Sequence, residues 1–162
     1  MKNLKSILFS AVLTIGTFAA ITFVSCNPDP CKDVVCANGG VCVDGGCNCE
    51  TGYEGTLCDV LSRTKFLGVF SGNETCTVGT DTYAITCTAN SDDTKFNISN
   101  VYNQSLTAIA NADGNSFTIP SQTVGSNITA SGSGSITGNT ITVTYTISDG
   151  TISNTCTFTG TK

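Results

Sequence analysis

Six cysteines lie close together in the chain, and their spacing limits what this segment can fold into. Between Cys31 and Cys58 they are separated by four, five, four, one and eight residues. The segment also holds few large apolar side chains. A unit of this size buries too little surface to offset the chain entropy lost on folding, so it needs covalent or metal cross-links. The spacing therefore predicts a small cross-linked module at residues 31–58.

Disulfides and zinc are the two chemistries that could supply these cross-links. Structural zinc sites usually contain paired Cys-x-x-Cys clips or mixtures of Cys and His. The chain has no histidine, and none of the six cysteines forms a Cys-x-x-Cys pair. We therefore expect three disulfides and an oxidising, exported environment, although six cysteines allow 15 different pairings.

The last loop of the predicted module carries Gly52, Tyr53 and Gly55. Together with the cysteine spacing, these residues resemble the epidermal growth factor (EGF)-like module. In the loop-entropy model each disulfide of such a module stabilises the fold by about 3 kcal/mol. The resemblance implies three disulfides, joining the first cysteine to the third, the second to the fourth and the fifth to the sixth: Cys31 to Cys42, Cys36 to Cys47, and Cys49 to Cys58.

Many EGF-like modules bind calcium through acidic and amide residues that stand just before the first cysteine. Here Pro30 occupies the position where such a ligand belongs. The loop between Cys42 and Cys47 contains Asp44 but lacks the aromatic residue of the calcium-binding pattern. We therefore expect no calcium site, no other metal site and no cofactor.

The N-terminus combines basic residues with a long uncharged stretch. Lys2 and Lys5 precede an uncharged, apolar-rich segment at 6–26, which is typical of a secretory signal. Its end, Phe-Val-Ser-Cys at 23–26, resembles the lipobox of bacterial lipoproteins, with phenylalanine where leucine is commoner. The resemblance implies cleavage before Cys26 and a lipid on Cys26 that anchors the chain to a membrane, in the outer membrane or at the cell surface.

Two other interpretations of this segment stay open. An ordinary signal peptide would leave Cys26 as a disulfide partner and the protein secreted, whereas an uncleaved segment would be an anchor helix. Removing residues 1–25 removes two of the seven basic residues and none of the twelve acidic ones, which leaves a net charge of −7. We expect no nucleic-acid partner, because such binding requires clustered Lys and Arg.

The composition changes after the cysteine-rich segment. From residue 64 onward the chain contains 22 Thr and 12 Ser among 99 residues, and Thr favours half-buried strands. The pattern is clearest at 140–148, where even positions are hydroxylated and odd positions are apolar. Such segments, separated by turn residues, predict strands at 66–78, 82–90, 95–102, 105–111, 116–120, 127–136, 140–148 and 151–159.

Eight short strands in succession predict an antiparallel meander, closed into a lipocalin-like barrel or folded as a two-sheet sandwich. The sequence Asp149-Gly150 is typical of a two-residue hairpin turn. The strand that follows would then place Ile152, Cys156 and Phe158 on one face. The fold class is therefore mainly β, with a disulfide-rich EGF-like module followed by this larger β domain.

Three further cysteines fall in the β domain. Cys76 lies on the first predicted strand and Cys156 on the last, and these strands become neighbours if a barrel closes. We therefore predict a disulfide between them. Cys87 alternates with apolar residues, which predicts a buried free thiol. A disulfide between Cys87 and an unlipidated Cys26 is the alternative that would pair all ten cysteines.

Little in the sequence points to catalysis. Without histidine, no His-dependent triad can form. Asp92-Asp93, the adjacent carboxylate pair, falls in a predicted turn, where Asp is common. The glycines at 132, 134 and 138 are followed by neither a lysine nor a helix start, so they predict a flexible strand or bulge and not a phosphate-binding loop. We assign no catalytic residue and expect no enzyme.

These observations divide the chain into a signal peptide (1–25), a tether (26–30), the EGF-like module (31–58), a linker (59–63) and the β domain (64–162). We expect an exported, lipid-anchored, non-catalytic envelope or cell-surface protein that binds a protein or glycan partner, or mediates adhesion, through the β domain. A small-ligand carrier with a barrel lumen and a purely structural envelope component are the alternatives.

Overall fold

The structure is a computed structural model that describes residues 29–162. The predicted signal peptide and Cys26 lie outside the described residues. Within the described residues, no helix is both long enough and apolar enough to cross a membrane.

The cysteine-rich segment folds around two small antiparallel ladders. The first joins β1 (Val41–Val43) to β2 (Gly46–Asn48), and the second joins β3 (Tyr53–Glu54) to β4 (Val60–Leu61). A short 3-10 helix at Ser62–Lys65 follows. The segment 59–63, predicted as a linker, therefore pairs with the module, because Val60 and Leu61 supply the partner strand for Glu54 and Tyr53.

The β domain is a closed barrel of eight antiparallel strands, so the prediction of a meander barrel is confirmed and the sandwich is wrong. Each strand pairs with the next along the chain, and the last strand pairs with the first. Closure removes every exposed sheet edge. The strands are β5 (Gly68–Cys76), β6 (Gly79–Ala89), β7 (Lys95–Val101), β8 (Leu106–Asp113), β9 (Ser116–Gly125), β10 (Ile128–Thr137), β11 (Thr140–Ser148) and β12 (Ser153–Thr161).

The alternation of apolar and polar residues along the strands produces the barrel core. On β11, Ile141, Val143, Tyr145 and Ile147 are all buried, as the period-two pattern predicts. Five phenylalanines are the largest side chains that are almost fully enclosed: Phe66, Phe70, Phe96, Phe117 and Phe158. Burial of these apolar side chains is the main stabilising contribution to the barrel.

Several predicted strand boundaries are wrong because the connecting turns are tighter than the turn-rich sequences indicate. Residues 79–81 were predicted as a turn, but they begin β6, and only residues 77–78 form the turn. Strand β9 runs past Pro120 to Gly125. Its direct pairing with β8 stops at Thr118, and the Gln122 side chain bridges the gap by accepting from the Ile109 amide at 2.8 Å and donating to its carbonyl at 2.7 Å.

The predicted two-residue turn at Asp149-Gly150 is also wrong. Ser148 pairs with Ser153, so the loop contains the four residues 149–152. Asp149 Oδ1 accepts hydrogen bonds from the amides of Thr151 and Ile152, which stabilises the wider loop. Ile152 is consequently exposed and does not share the inner face with Cys156 and Phe158.

The alternating strand directions give the barrel two different ends. The end that we call the EGF end carries the loops 90–94, 114–115 and 138–139, together with the chain that arrives from the EGF-like module. Phe66, Phe96 and Phe117 close this end, with ring centroids 4.9 to 5.2 Å apart. The opposite end, which we call the open end, carries the loops 77–78, 102–105, 126–127 and 149–152.

The EGF-like module packs against the EGF end. The Ser62 amide donates to the Gly52 carbonyl at 2.9 Å, and the Ser62 hydroxyl accepts from the Gly114 amide at 3.2 Å. Lys65 Nζ donates to both Glu54 and Asn115, at 2.6 Å each. Module and barrel are therefore joined by hydrogen bonds through the short helix, and the open end points away from the module.

Candidate binding site at the open end of the barrel

Eight cysteines form four disulfides in the structure. Three lie in the EGF-like module and are the pairs that the EGF resemblance implies. The fourth joins Cys76 on β5 to Cys156 on β12, which stand directly opposite each other with a Cα–Cα distance of 4.0 Å. It fastens the first and last strands of the barrel, 80 residues apart in sequence.

Cys87 is buried on the inner face of β6 and forms no disulfide with the described residues. Burial raises the pKa of its thiol to about 12, even though Lys162 lies close enough to oppose the shift. A thiol in this state is poorly nucleophilic, because the thiolate is the reactive form. Its predicted alternative partner, Cys26, lies outside the described residues.

Asp92 and Asp93 lie in the loop 90–94 at the EGF end, where both carboxylates have structural partners. Asp92 pairs with Lys95 at 2.8 Å and Asp93 with Arg63 at 2.7 Å. The Lys95 ammonium and hydrogen bonds from Thr94 lower the pKa of Asp92. These contacts hold the loop in place and leave no carboxylate pair arranged around a substrate.

The middle of the barrel is filled by side chains. The cavity lined by Tyr83, Ile98, Val143 and their neighbours has a volume of about 10 Å³, no more than the space that one water molecule needs. A lipocalin-like ligand requires several hundred Å³. In the described structure the interior therefore offers no lumen for a small molecule.

A carboxylate nevertheless points into the barrel just above this filled region. Glu74 on β5 exposes only 3% of its surface. Its Oε1 accepts a hydrogen bond from Tyr83 at 2.7 Å and a second from Tyr145. Burial, reinforced by the bond to Glu74, raises the pKa values of both tyrosines well above the usual tyrosine value. The two hydroxyls therefore remain donors and fix the carboxylate in one position.

The Glu74 carboxylate also lies within 4.8 Å of the sulfurs of Cys76 and Cys156. Such a grouping could suggest a metal centre, but both sulfurs belong to one disulfide. Thiolates bind metals, whereas disulfide sulfurs are poor ligands. This cluster is therefore better described as a carboxylate packed beside the barrel-closing disulfide.

Two depressions open above Glu74, and they share Tyr102 and Gln104. The first has a volume of about 300 Å³ and reaches Glu74 between the loops 77–78 and 102–105. The second has a volume of about 220 Å³ and is lined by residues of the 149–152 loop, including Ile152. The open end is therefore concave on both sides of Tyr102 and Gln104.

The loop between β7 and β8 is held in an unusual backbone conformation beside this surface. Tyr102, Asn103 and Ser105 all have positive φ angles, between 51° and 58°, a region that residues other than glycine rarely occupy. Asn103 donates to Asp81 at 2.7 Å, and the Tyr102 hydroxyl accepts from Asn154 at 3.0 Å. Strained, pinned loops of this kind are concentrated at functional sites.

Sequence reasoning missed Glu74 as a site residue. The alternation along β5 could have identified it, because every second residue of a strand points to the same face. Glu74 shares this face with Phe70, Gly72 and Cys76. A charge in register with the core residues of a predicted barrel is rare enough to mark a site. The tyrosines that hold it come from β6 and β11, and their proximity depends on closure of the barrel.

Comparisons with known proteins cover only part of the chain. The human protein eyes shut homolog is 43% identical over 37 residues, which is 20% of this chain and 1% of that protein. Protein eyes shut homolog of Pongo abelii matches with the same figures. The chain thus spans about 1% of the length of these curated relatives. No family profile and no solved structure matches the chain.

These matches support the EGF resemblance in part, since eyes shut contains EGF domains. The disulfide-rich fold and the EGF-like relatives are typical of an extracellular location. The chain is thus a small disulfide-bonded β-barrel with an EGF-like N-terminal region, a class compatible with a binding or carrier role.

Proposed function

We propose that this protein is an exported, non-catalytic binding protein whose barrel contacts a protein or glycan partner through its open end. The observation that carries the proposal is the concave surface made by the two depressions, which share Tyr102 and Gln104. Exposed apolar side chains flank it, with Val78 exposing 74% and Ile152 exposing 66% of their surfaces. Concave surfaces with a few convergent polar groups and apolar margins are typical of binding sites.

The proposal includes attachment to the cell envelope through a lipid on Cys26, with adhesion as one use of the bound partner. Cys26 precedes the first cysteine of the EGF-like module by five residues, so an anchor there would lie beside the module. The module packs on the EGF end of the barrel. This arrangement would direct the open end away from the membrane and toward partners.

The filled interior favours surface binding over the carrier alternative, because a small ligand would have no enclosed volume. The purely structural alternative explains neither the buried carboxylate beneath the open end nor the strained loop beside it. Both features cost free energy in the folded state, and a binding role gives a reason for that cost.

Glycan arrays and pull-downs with the mature protein test the proposed site. Val78→Lys and Ile152→Lys place a positive charge on exposed positions of the open end, and Val69→Lys is a matched control on the outer wall, where Val69 is 54% exposed. We expect a partner that wild type and Val69→Lys retain and that the two open-end variants lose. Equal binding by all four proteins, or background signal for wild type, would contradict the proposal.

The lipid anchor has a separate test. Mass spectrometry of the mature N-terminus should show cleavage before Cys26 and the added mass of acyl chains. An unmodified Cys26 would contradict anchoring without affecting the binding site.

A further inference from the structure

We propose that the open end recognises an organic cation, an ammonium or guanidinium group, through the free oxygen of Glu74. The inference rests on the proposed function and names the chemical class that the site accepts. A group of this kind occurs in free amines and in the side chains of a basic protein partner. Both sources present the same hydrogen-bond donors to a carboxylate.

The first step of the argument concerns the two oxygens of Glu74. Oε1 accepts from both Tyr83 and Tyr145. Oε2 accepts no hydrogen bond from the described residues, and it is not sealed off from solvent. Because Glu74 lines the first depression, this oxygen is the group that an incoming ligand would meet. A nearly buried carboxylate with one unpaired oxygen gains most from a cationic donor.

The charges around the depression favour the same ligand. Its lining includes the carboxylates of Glu74 and Asp81 and contains no Lys or Arg. The basic side chains that follow the EGF-like module all make their contacts at the EGF end: Arg63, Lys65, Lys95 and Lys162. No cation of the described chain competes for Glu74, and an anionic ligand would be repelled.

A metal ion fits this depression poorly. Calcium requires six to eight oxygen ligands, whereas Glu74 offers one free oxygen and Asp81 Oδ2 already accepts from Asn103 at 2.7 Å. Asp81 also belongs to no cluster of potential metal ligands among the described residues. An ammonium group needs only a few acceptors. Val78 supplies an aliphatic wall for the carbon chain of the ligand.

The experiment is an NMR titration of the mature protein with n-butylammonium. Neutral 1-butanol serves as its matched probe and CaCl₂ as a metal control. We expect saturable shifts of the Gly79, Thr80 and Asn103 amides with n-butylammonium, and no saturable shifts at these amides with the other two probes. Glu74→Gln should weaken binding about tenfold or more, because it removes the charge from a shielded ion pair. Asp113→Asn removes an exposed charge at the EGF end and should leave binding unchanged.

Two outcomes would overturn the inference: equal response to n-butylammonium and 1-butanol, or undiminished binding by a folded Glu74→Gln protein. If Glu74→Gln does not fold, the comparison of n-butylammonium with 1-butanol on the wild-type protein is enough to test the inference. Two further probes distinguish the source of the cation: lysine with an acetylated N-terminus and an amidated C-terminus, and the norleucine analogue, which lacks the ammonium group. Preference for the lysine derivative indicates a partner's side chain, and binding of n-butylammonium alone indicates a free amine.

The inference and the proposed function can fail separately. Loss of the partner in Val78→Lys while no ammonium probe binds would leave the binding function intact and reject the cation. Ammonium binding by the wild type, together with partner binding that is unchanged in Val78→Lys and Ile152→Lys, would reject the partner surface instead.

Discussion

At the scale of single residues, the surroundings of Tyr83, Tyr145 and Cys87 in the barrel raise the pKa values of these three side chains. Tyr83 and Tyr145 are kept protonated by burial and by Glu74, and Cys87 is kept protonated by burial alone. Each group is therefore more acidic in the unfolded chain than in the folded one. This difference links the stability of the protein to alkaline pH.

We predict that the free energy of unfolding falls as the pH rises above about 10. Tyr83 and Tyr145 have raised pKa values in the folded state, so their contribution is fully present below the unfolded pKa and is lost as the pH rises toward the folded pKa. Each tyrosine contributes a slope of about 1.4 kcal/mol per pH unit in that range. Urea unfolding at pH values below and above 10 measures this dependence of the free energy of unfolding on pH. The measurement is made in a Cys87→Ala variant, because the free thiol would otherwise exchange with the disulfides at alkaline pH.

Tyr145→Phe is the matched control and should reduce the alkaline slope by about half, because one of the two linked groups is gone. Absorbance at 295 nm reports tyrosine ionisation independently. If all four tyrosines ionised near pH 10 in the native protein, the raised pKa values would be wrong.

Cys87 supplies a second prediction at this scale. Its thiol is 2% exposed and has a pKa of about 12, so Ellman's reagent should not modify the native mature protein at neutral pH. In guanidinium without reductant, we expect one reactive thiol per chain. Modification of the native protein would contradict the burial, whereas no reactive thiol after unfolding would favour the alternative Cys26–Cys87 disulfide.

At the scale of elements, the strands follow from alternation, while their exact lengths depend on contacts between strands. The inward glycines of β10 show this dependence. A Cβ on Gly134 would lie 2.2 Å from the Phe117 ring and 2.4 Å from the Thr142 carbonyl oxygen. The glycines at 132 and 134, which looked like flexible positions in the sequence, make room for the Phe117 ring of β9 and for the backbone of β11 near Thr142 and Tyr145.

We predict that Gly134→Ala destabilises the protein by about 1–3 kcal/mol, the usual cost of overpacking a closely packed core. Ser133→Ala is the matched control on the same strand, because Ser133 points outward, and it should change stability by less than about 0.5 kcal/mol. Urea midpoints of the two variants provide the comparison. Equal midpoints would mean that the core relaxes around the new methyl group.

The elements also show how far sequence reasoning extends. On β11, hydroxylated residues at even positions and apolar residues at odd positions were sufficient to place Ile141 and Tyr145 inside the barrel. They could not distinguish a barrel from a sandwich, because both use the same alternation and differ only in whether β12 meets β5. The turn at 149–152 was mispredicted because an Asp side chain that binds two amides can support a longer loop than Asp-Gly alone. The contact between β12 and β5, in contrast, joins residues as far apart as Cys76 and Cys156, 80 positions along the chain, and carries no local sequence signal.

At the scale of the whole molecule, the basic side chains that follow the EGF-like module all make their contacts at one end of the barrel. The basic residues tie the EGF-like module to one end, and the buried carboxylate lies toward the other. Arg63 is central to this junction, because its guanidinium donates to the backbone carbonyls of Asn90 and Asp92 at 2.7 Å each and to Lys95 at 3.3 Å. It also pairs with the Asp93 carboxylate.

We predict that Arg63→Ala destabilises the protein by about 2–3 kcal/mol and exposes the Ser62 amide to hydrogen exchange. The Arg63 side chain is only 11% exposed. Its loss leaves the Asn90 carbonyl without a donor from the described residues and removes one of two donors from the carbonyls of Asp92 and Lys95. Arg63→Lys should recover part of the loss, since an ammonium lacks the planar fork. Lys95→Ala removes a more exposed ion pair with Asp92 and should cost less than about 1 kcal/mol. Comparable losses in Arg63→Ala and Lys95→Ala would show that the module is held by its chain connection and not by this cluster.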